Sequence, residues 1–268
     1  MEVTPKKKIP ALLTQLRFQP IFFPPVAVFL TLVLGAPAAY PLEFPQRRTY
    51  QLSCLFVPAA GTIELELNPH ANDPRMVKAS VHVAFSGVVG TLSGAREQKY
   101  TSIIMLDSPA GVTGVHHRQE VEIGRAGKRS RYGWEWRRDE EQGTFVAHRF
   151  WGGEQQQRTT LEGGADVVSD LLTLVVRIGV DAHGHHAQEE QRAYTLLDPE
   201  GNIQVRASFN SGANLHPAQT RVRLDFSRNP LTLGASRLEV WLNPAGEIMR
   251  GRIVGGSGLV PLKFAPAK

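Results

Sequence analysis

The stretch Val77-Lys78-Ala79-Ser80-Val81-His82-Val83-Ala84-Phe85 decides the fold class. Val77, Ala79, Val81, Val83 and Phe85 fall on one side of an extended chain, and Lys78, Ser80 and His82 on the other. Successive side chains of a strand point to opposite faces, whereas a helix would scatter the same set around its axis. The stretch is therefore a strand with one face hidden from water. The same period of two recurs in Ile63, Leu65 and Leu67 against Thr62, Glu64 and Glu66. It returns in Val222, Leu224 and Phe226, and again in Leu238, Val240 and Leu242.

Turn chemistry separates these runs. In Asp198-Pro199-Glu200-Gly201-Asn202 the proline presets φ and the glycine tolerates positive φ. Asn243-Pro244-Ala245-Gly246 reads the same way, and Pro58-Ala59-Ala60-Gly61 is the expected close of a first hairpin. The spacing predicts about ten to twelve antiparallel strands. Gly87 to Glu97 and Asp181 to Gln191 read as irregular connections. One segment has a different period: Val168, Leu171, Leu172, Val175 and Ile178 recur at helical spacing, with Ser169, Asp170, Thr173 and Arg177 elsewhere. The expected helix runs from Asp166, as its cap, to Ile178, with Gly179 as the stop. The predicted fold is mainly β: a large curved antiparallel sheet, half-barrel or sandwich, with one amphipathic helix packed on it.

The 268 residues are 42% apolar and 21% charged, the composition of a folded globular chain. Lys+Arg is 30 against 25 Asp+Glu, but Lys6, Lys7, Lys8 and Arg17 precede residue 39 with only Glu2 opposing them. The body keeps 26 basic and 24 acidic residues. So balanced a body predicts no nucleic-acid partner. Those first cations, the apolar run Ile21 to Leu34 and the small residues Gly35-Ala36-Pro37-Ala38-Ala39 have the three-part layout of a secretory signal. Residues 1–39 are the expected signal peptide, cut after Ala38 or Ala39, or alternatively an uncleaved anchor. Residues 40–268 are the expected single β-rich envelope domain, located in the periplasm. Cys54, the one cysteine, reads as a buried inert thiol.

Four places resemble a family of exported bacterial proteins known as domain of unknown function 3108. They are Tyr50-Gln51-Leu52 through Thr62; Trp134-Glu135-Trp136 through Asp139; Asp166-Val167-Val168-Ser169 with Arg177; and Val240-Trp241-Leu242-Asn243 followed by Ile248. The charged insertion at Gly124 to Arg131 and the His-rich loop depart from that pattern. The resemblance implies an envelope location and an antiparallel β-fold curved around one helix, and it carries no activity.

Among candidate sites, Tyr132, Trp134 and Trp136 share a strand face, where an aromatic row either fills a core or holds a sugar or acyl chain. Trp241 falls on a polar face, to cover a sheet edge, meet the helix or contact a ligand. Arg177, near the expected helix end, either complements the helix dipole or pairs with an anionic ligand. His183-Gly184-His185-His186 matches no structural zinc spacing and reads as a solvated loop. His116-His117 begins a strand run, with His117 on the face of Val115 and Val121 as a satisfied half-buried side chain. No nucleophile elbow, zinc-protease helix, phosphate loop or dinucleotide fingerprint is present, so no catalytic residue, metal or cofactor is expected. The leading expectation is a non-enzymatic binding or carrier module for a hydrophobic, lipid-like ligand or an envelope partner. An envelope hydrolase or transferase, and a structural partner in outer-membrane assembly, are the alternatives.

Overall fold

The computed structural model describes residues 46–54, 57–87, 95–107, 111–125, 128–162, 167–183, 190–198, 201–210, 220–228, 237–243, 248–254 and 262–267. The expected leader lies outside them, as do residues 184–186 of the His-rich loop and the side chain of Cys54.

The strands are β1 (Gln46–Cys54), β2 (Val57–His70), β3 (Asp73–Phe85), β4 (Ala95–Asp107), β5 (Gly111–Arg125), β6 (Lys128–Arg138), β7 (Phe145–Trp151) and β8 (Glu154–Leu161). A two-residue strand, β9 (Val167–Val168), leads into the helix α1 (Leu171–His183). Then follow β10 (Glu190–Leu196), β11 (Ile203–Asn210), β12 (Thr220–Phe226), β13 (Arg237–Leu242), β14 (Ile248–Val254) and β15 (Leu262–Pro266). All fifteen join one sheet, in the order β8 back to β1, then β15 back to β9. Every neighbouring pair is antiparallel except β9 with β10. The count exceeds the expected ten to twelve because β8 and β9 carry no alternating signal. β8 reads Glu-Gln-Gln-Gln-Arg-Thr-Thr-Leu, polar on both faces.

The period of two sorts the sheet into an inner and an outer face. On β3 Val77, Ala79, Val81 and Val83 are buried while Lys78, Ser80 and His82 look outward. The inner face wraps the helix, whose residues Leu171 to Val176 and Ile178 are all buried in one continuous core with the strands. Burying each of its leucines, valines and isoleucine stabilises by about 1.5–3 kcal/mol. A second cluster holds Trp136, Phe145 and Ala147 with Leu161 from one end of the sheet, and Leu197 with Val167 from the other. The curl therefore brings the two ends together through side chains.

Three expectations need correction. Pro58 to Gly61 do not turn; they lie inside β2. Gly61 is needed there because a Cβ would stand 2.3 Å from the Ala84 carbonyl oxygen of β3. The helix starts at Leu171 rather than after Asp166, since Val167 and Val168 pair in parallel with Thr195 and Leu196. It also passes Gly179 and reaches His183, a glycine inside a helix costing only about 1 kcal/mol. In the charged insertion, the described residues continue the β5–β6 pairing, Gly124 with Arg129 and Arg125 with Lys128.

Candidate functional site

A β-bulge in β5 builds the polar centre of the molecule. Ile103 of β4 faces His116, but Ile104 faces Gly114, so Val115 is the extra residue. The slip puts Gly114 and His117 on the inner face together and separates His117 from Val115. Gly114 presents bare backbone there: a Cβ would lie 1.8 Å from Ser169 Oγ and 2.6 Å from Thr173 Oγ1. Only glycine lets the start of α1 sit this close to the sheet.

Asp170 caps the helix, accepting the Thr173 backbone N–H at Oδ1 (3.0 Å). Its carboxylate also accepts Thr173 Oγ1 at 2.6 Å and Ser169 Oγ at 2.7 Å on Oδ2, and Ser102 Oγ at 2.8 Å on Oδ1. His117 Nδ1 stands 2.7 Å from Ser102 Oγ and 3.3 Å from Asp170 Oδ1. The Trp136 ring lies tilted against the His117 ring, 4.3 Å between centroids, and its indole N–H donates to the Ser169 carbonyl at 2.8 Å. Burial alone would raise the Asp170 carboxyl. The His117 charge and the Thr173 hydrogen bonds outweigh it and hold the carboxyl well below the usual aspartate range.

Ser102, His117 and Asp170 thus converge from two strands and a helix cap, as an assembled hydrolase site would require. Their wiring differs from a nucleophile relay. In such a relay serine donates to one imidazole nitrogen and the carboxylate receives from the other. Here Ser102 and Asp170 both face Nδ1, and Ser102 donates its proton to Asp170, so the ring N–H donates to Ser102. Ser102 is 0% exposed and His117 3%. The arrangement fastens α1 to β4 and β5.

A more open surface continues along the same inner face. Strand register sets Tyr132 opposite Trp151 and Trp134 opposite Arg149, with Gln119 and Val121 behind them on β5. Tyr132 and Trp151 stack at 5.2 Å, and the Arg149 guanidinium lies 5.8 Å from the Trp134 ring. Tyr132 and Trp134 are half-buried, while Trp151 is 41% exposed. Behind Gln119, on β4, the Tyr100 hydroxyl donates to Gln98 Oε1 (3.2 Å) and receives from the Gln119 side-chain amide (3.4 Å). Burial pushes both the Tyr100 and Tyr132 phenols upward, so both are neutral donors. The aromatic row is divided: Trp136 is core, and Tyr132 with Trp134 forms the floor.

The other candidates lie apart. Arg177 is in the middle of α1 rather than near its end, with its guanidinium 6.0 Å from the Tyr194 ring. Trp241 is on the outer face, ringed by Arg221, Arg250 and Arg252 at 5.7, 4.7 and 5.7 Å. It meets neither the helix nor the first aromatic row. His116 pairs with Glu135 on the outer face, where burial first of all lowers its pKa. Among the described residues no group of three or more His, Cys, Asp or Glu has metal-holding geometry.

Ser102, Ser169, Thr173 and Gly114 were not among the candidate site residues read from the sequence. The available signal was Gln98, Tyr100, Ser102 and Ile104 sharing one face of β4: polar residues on a side that its neighbours make apolar.

No protein-family model matches the chain, and no curated protein matches it. A solved structure similar to it is a β-barrel-like protein of domain of unknown function DUF1849 from Brucella abortus. The two share 11% identity over 84% of this chain and 96% of the other, with a TM-score of 0.48.

Proposed function

We propose that this chain is an exported, non-enzymatic envelope protein of the kind its resemblance to the domain of unknown function 3108 family implies, and that it binds a hydrophobic ligand on the Tyr132–Trp134–Trp151 floor. The observation that carries the reading is the unequal burial along one sheet face. At the level of Ser102 and His117 the helix is seated without a gap, so no ligand fits beneath it. Farther along, three rings remain half-buried or exposed beside the exposed Arg149. An apolar tail covers such rings favourably, and a guanidinium at the rim suits an anionic head. This differs from a carrier that encloses its cargo between helix and sheet.

The test is titration of the full-chain protein with a fluorescent dodecanoic acid analogue. Trp134→Ala should weaken binding at least tenfold, while Trp241→Phe on the opposite face leaves it unchanged. Saturable binding that is equal in wild type and Trp134→Ala would refute the floor. Absence of binding by the wild type would refute the ligand class.

A further inference from the structure

The outer face of β11–β14 carries three cross-strand rows of one design. Asp225 lies between Arg206 and Arg237, Glu239 between Arg223 and Arg252, and Trp241 between Arg221 and Arg250. Neighbouring strands are about 4.8 Å apart and alternate residues about 6.8 Å, so the rows form a compact grid. Six arginines face two carboxylates, an excess of four positive charges. The body as a whole carries only two more cations than anions, so the remainder is net negative. The positive excess of this chain is therefore gathered on this four-strand patch.

The carboxylates order the arginines. Glu239 pairs with both Arg221 and Arg252, and Asp225 with Arg223 and Arg237 at 2.7 Å each. Burial would raise Glu239 and Asp225, but these hydrogen bonds prevail and hold both below their usual range. Apolar groups sit in the grid and at its margin. Trp241 is half-buried among three guanidiniums. Met249 is 45% exposed at the bulge where β14 passes Trp241 and Leu242.

We propose that this face docks onto an anionic phospholipid surface. Fixed planar guanidiniums match headgroup phosphates. An indole among them and an exposed thioether at the margin suit the boundary where headgroup meets acyl chain. A soluble polyanion would meet the arginines equally well but would leave Met249 and Trp241 without an apolar partner. The site is on the opposite face from the aromatic floor and does not depend on it.

The experiment is co-sedimentation of the full chain with phosphatidylcholine vesicles, with and without phosphatidylglycerol. Wild type should partition onto the anionic vesicles and be released by salt. A juxtamembrane cation is worth about 1 kcal/mol, or roughly fivefold in partitioning. Arg206 and Arg250 are exposed and outside the four ion pairs above, so Arg206→Gln with Arg250→Gln should cost roughly 25-fold. Arg158→Gln on β8 should cost little. With brominated lipid, part of the tryptophan emission should be quenched, and Trp241→Phe should remove that part. Equal partitioning onto neutral and anionic vesicles overturns the proposal, as does a double variant that matches Arg158→Gln. So does wild type that binds inorganic polyphosphate and ignores both vesicles.

Discussion

Replacing Asp170 by asparagine tests the account of how α1 is held. The side chain keeps its shape, yet the buried carboxylate that accepts from Ser102, Ser169 and twice from Thr173 becomes a neutral amide. One of its two ends is then a donor facing hydroxyl groups and His117. Breaking a buried charged network by removing one partner costs about 3–5 kcal/mol. That is a large part of the roughly 5–15 kcal/mol by which domains are stable. At about 2–4 °C per kcal/mol for a chain of this size, the melting temperature should fall by roughly 10 °C. Ser102→Ala removes one donor and should cost only about 1–2 kcal/mol. The pH dependence gives a second readout. Asp170 is depressed in the folded state, so its contribution is complete above the unfolded value of 3.8 and is lost as pH falls below it. Wild type should lose up to about 1.4 kcal/mol per pH unit in that range relative to Asp170→Asn, narrowing the gap between them. Urea titrations followed by circular dichroism at pH 7 and pH 3 measure both quantities. A variant within about 1 kcal/mol of wild type, or a gap that acid leaves unchanged, would refute the reasoning.

Gly114→Ala should be as damaging as Asp170→Asn despite adding a single methyl group, because its Cβ meets Ser169 Oγ at 1.8 Å. Thermal melts should show a loss of more than about 2 kcal/mol, and Ser169→Gly in the same chain should recover part of it. Trp136→Phe keeps most of the ring area on His117 but leaves the Ser169 carbonyl without its indole donor. A cost of about 1–3 kcal/mol is expected, read by the same melts.

The inward and outward residues of β2, β3, β12 and β13 were legible because water touches one side of each strand, and alternation records that directly. The helix core at Leu171, Leu172, Val175 and Ile178 was legible for the same reason at a different period. Its start was not. Asp166 and Asp170 are equivalent caps by local chemistry, and only the pairing of Val167-Val168 with β10, a tertiary contact, selects Asp170. Nor could the polar centre be read, because Ser169, Asp170 and Thr173 look like the water-facing side of an amphipathic helix. They are buried because a second polar set, Ser102 and His117, waits on the sheet, brought into line by a bulge that spacing alone does not announce. The split of the aromatic row between core and floor likewise depends on a tertiary contact, that of Trp136 with Ser169 just ahead of α1.

The first and last strands of the sheet lie side by side: Leu52 pairs with Phe264, and Ser53 Oγ donates to the Lys263 carbonyl across 210 positions of sequence. The meander β1–β8 and the run β9–β15 are thereby sewn together along a seam that can close only when β15 arrives. A chain emerging amino end first must hold β1 with one edge bare until β15 is delivered. Slow closure of this kind, with an unpaired strand exposed in the interval, is the step at which a chaperone would have most to protect.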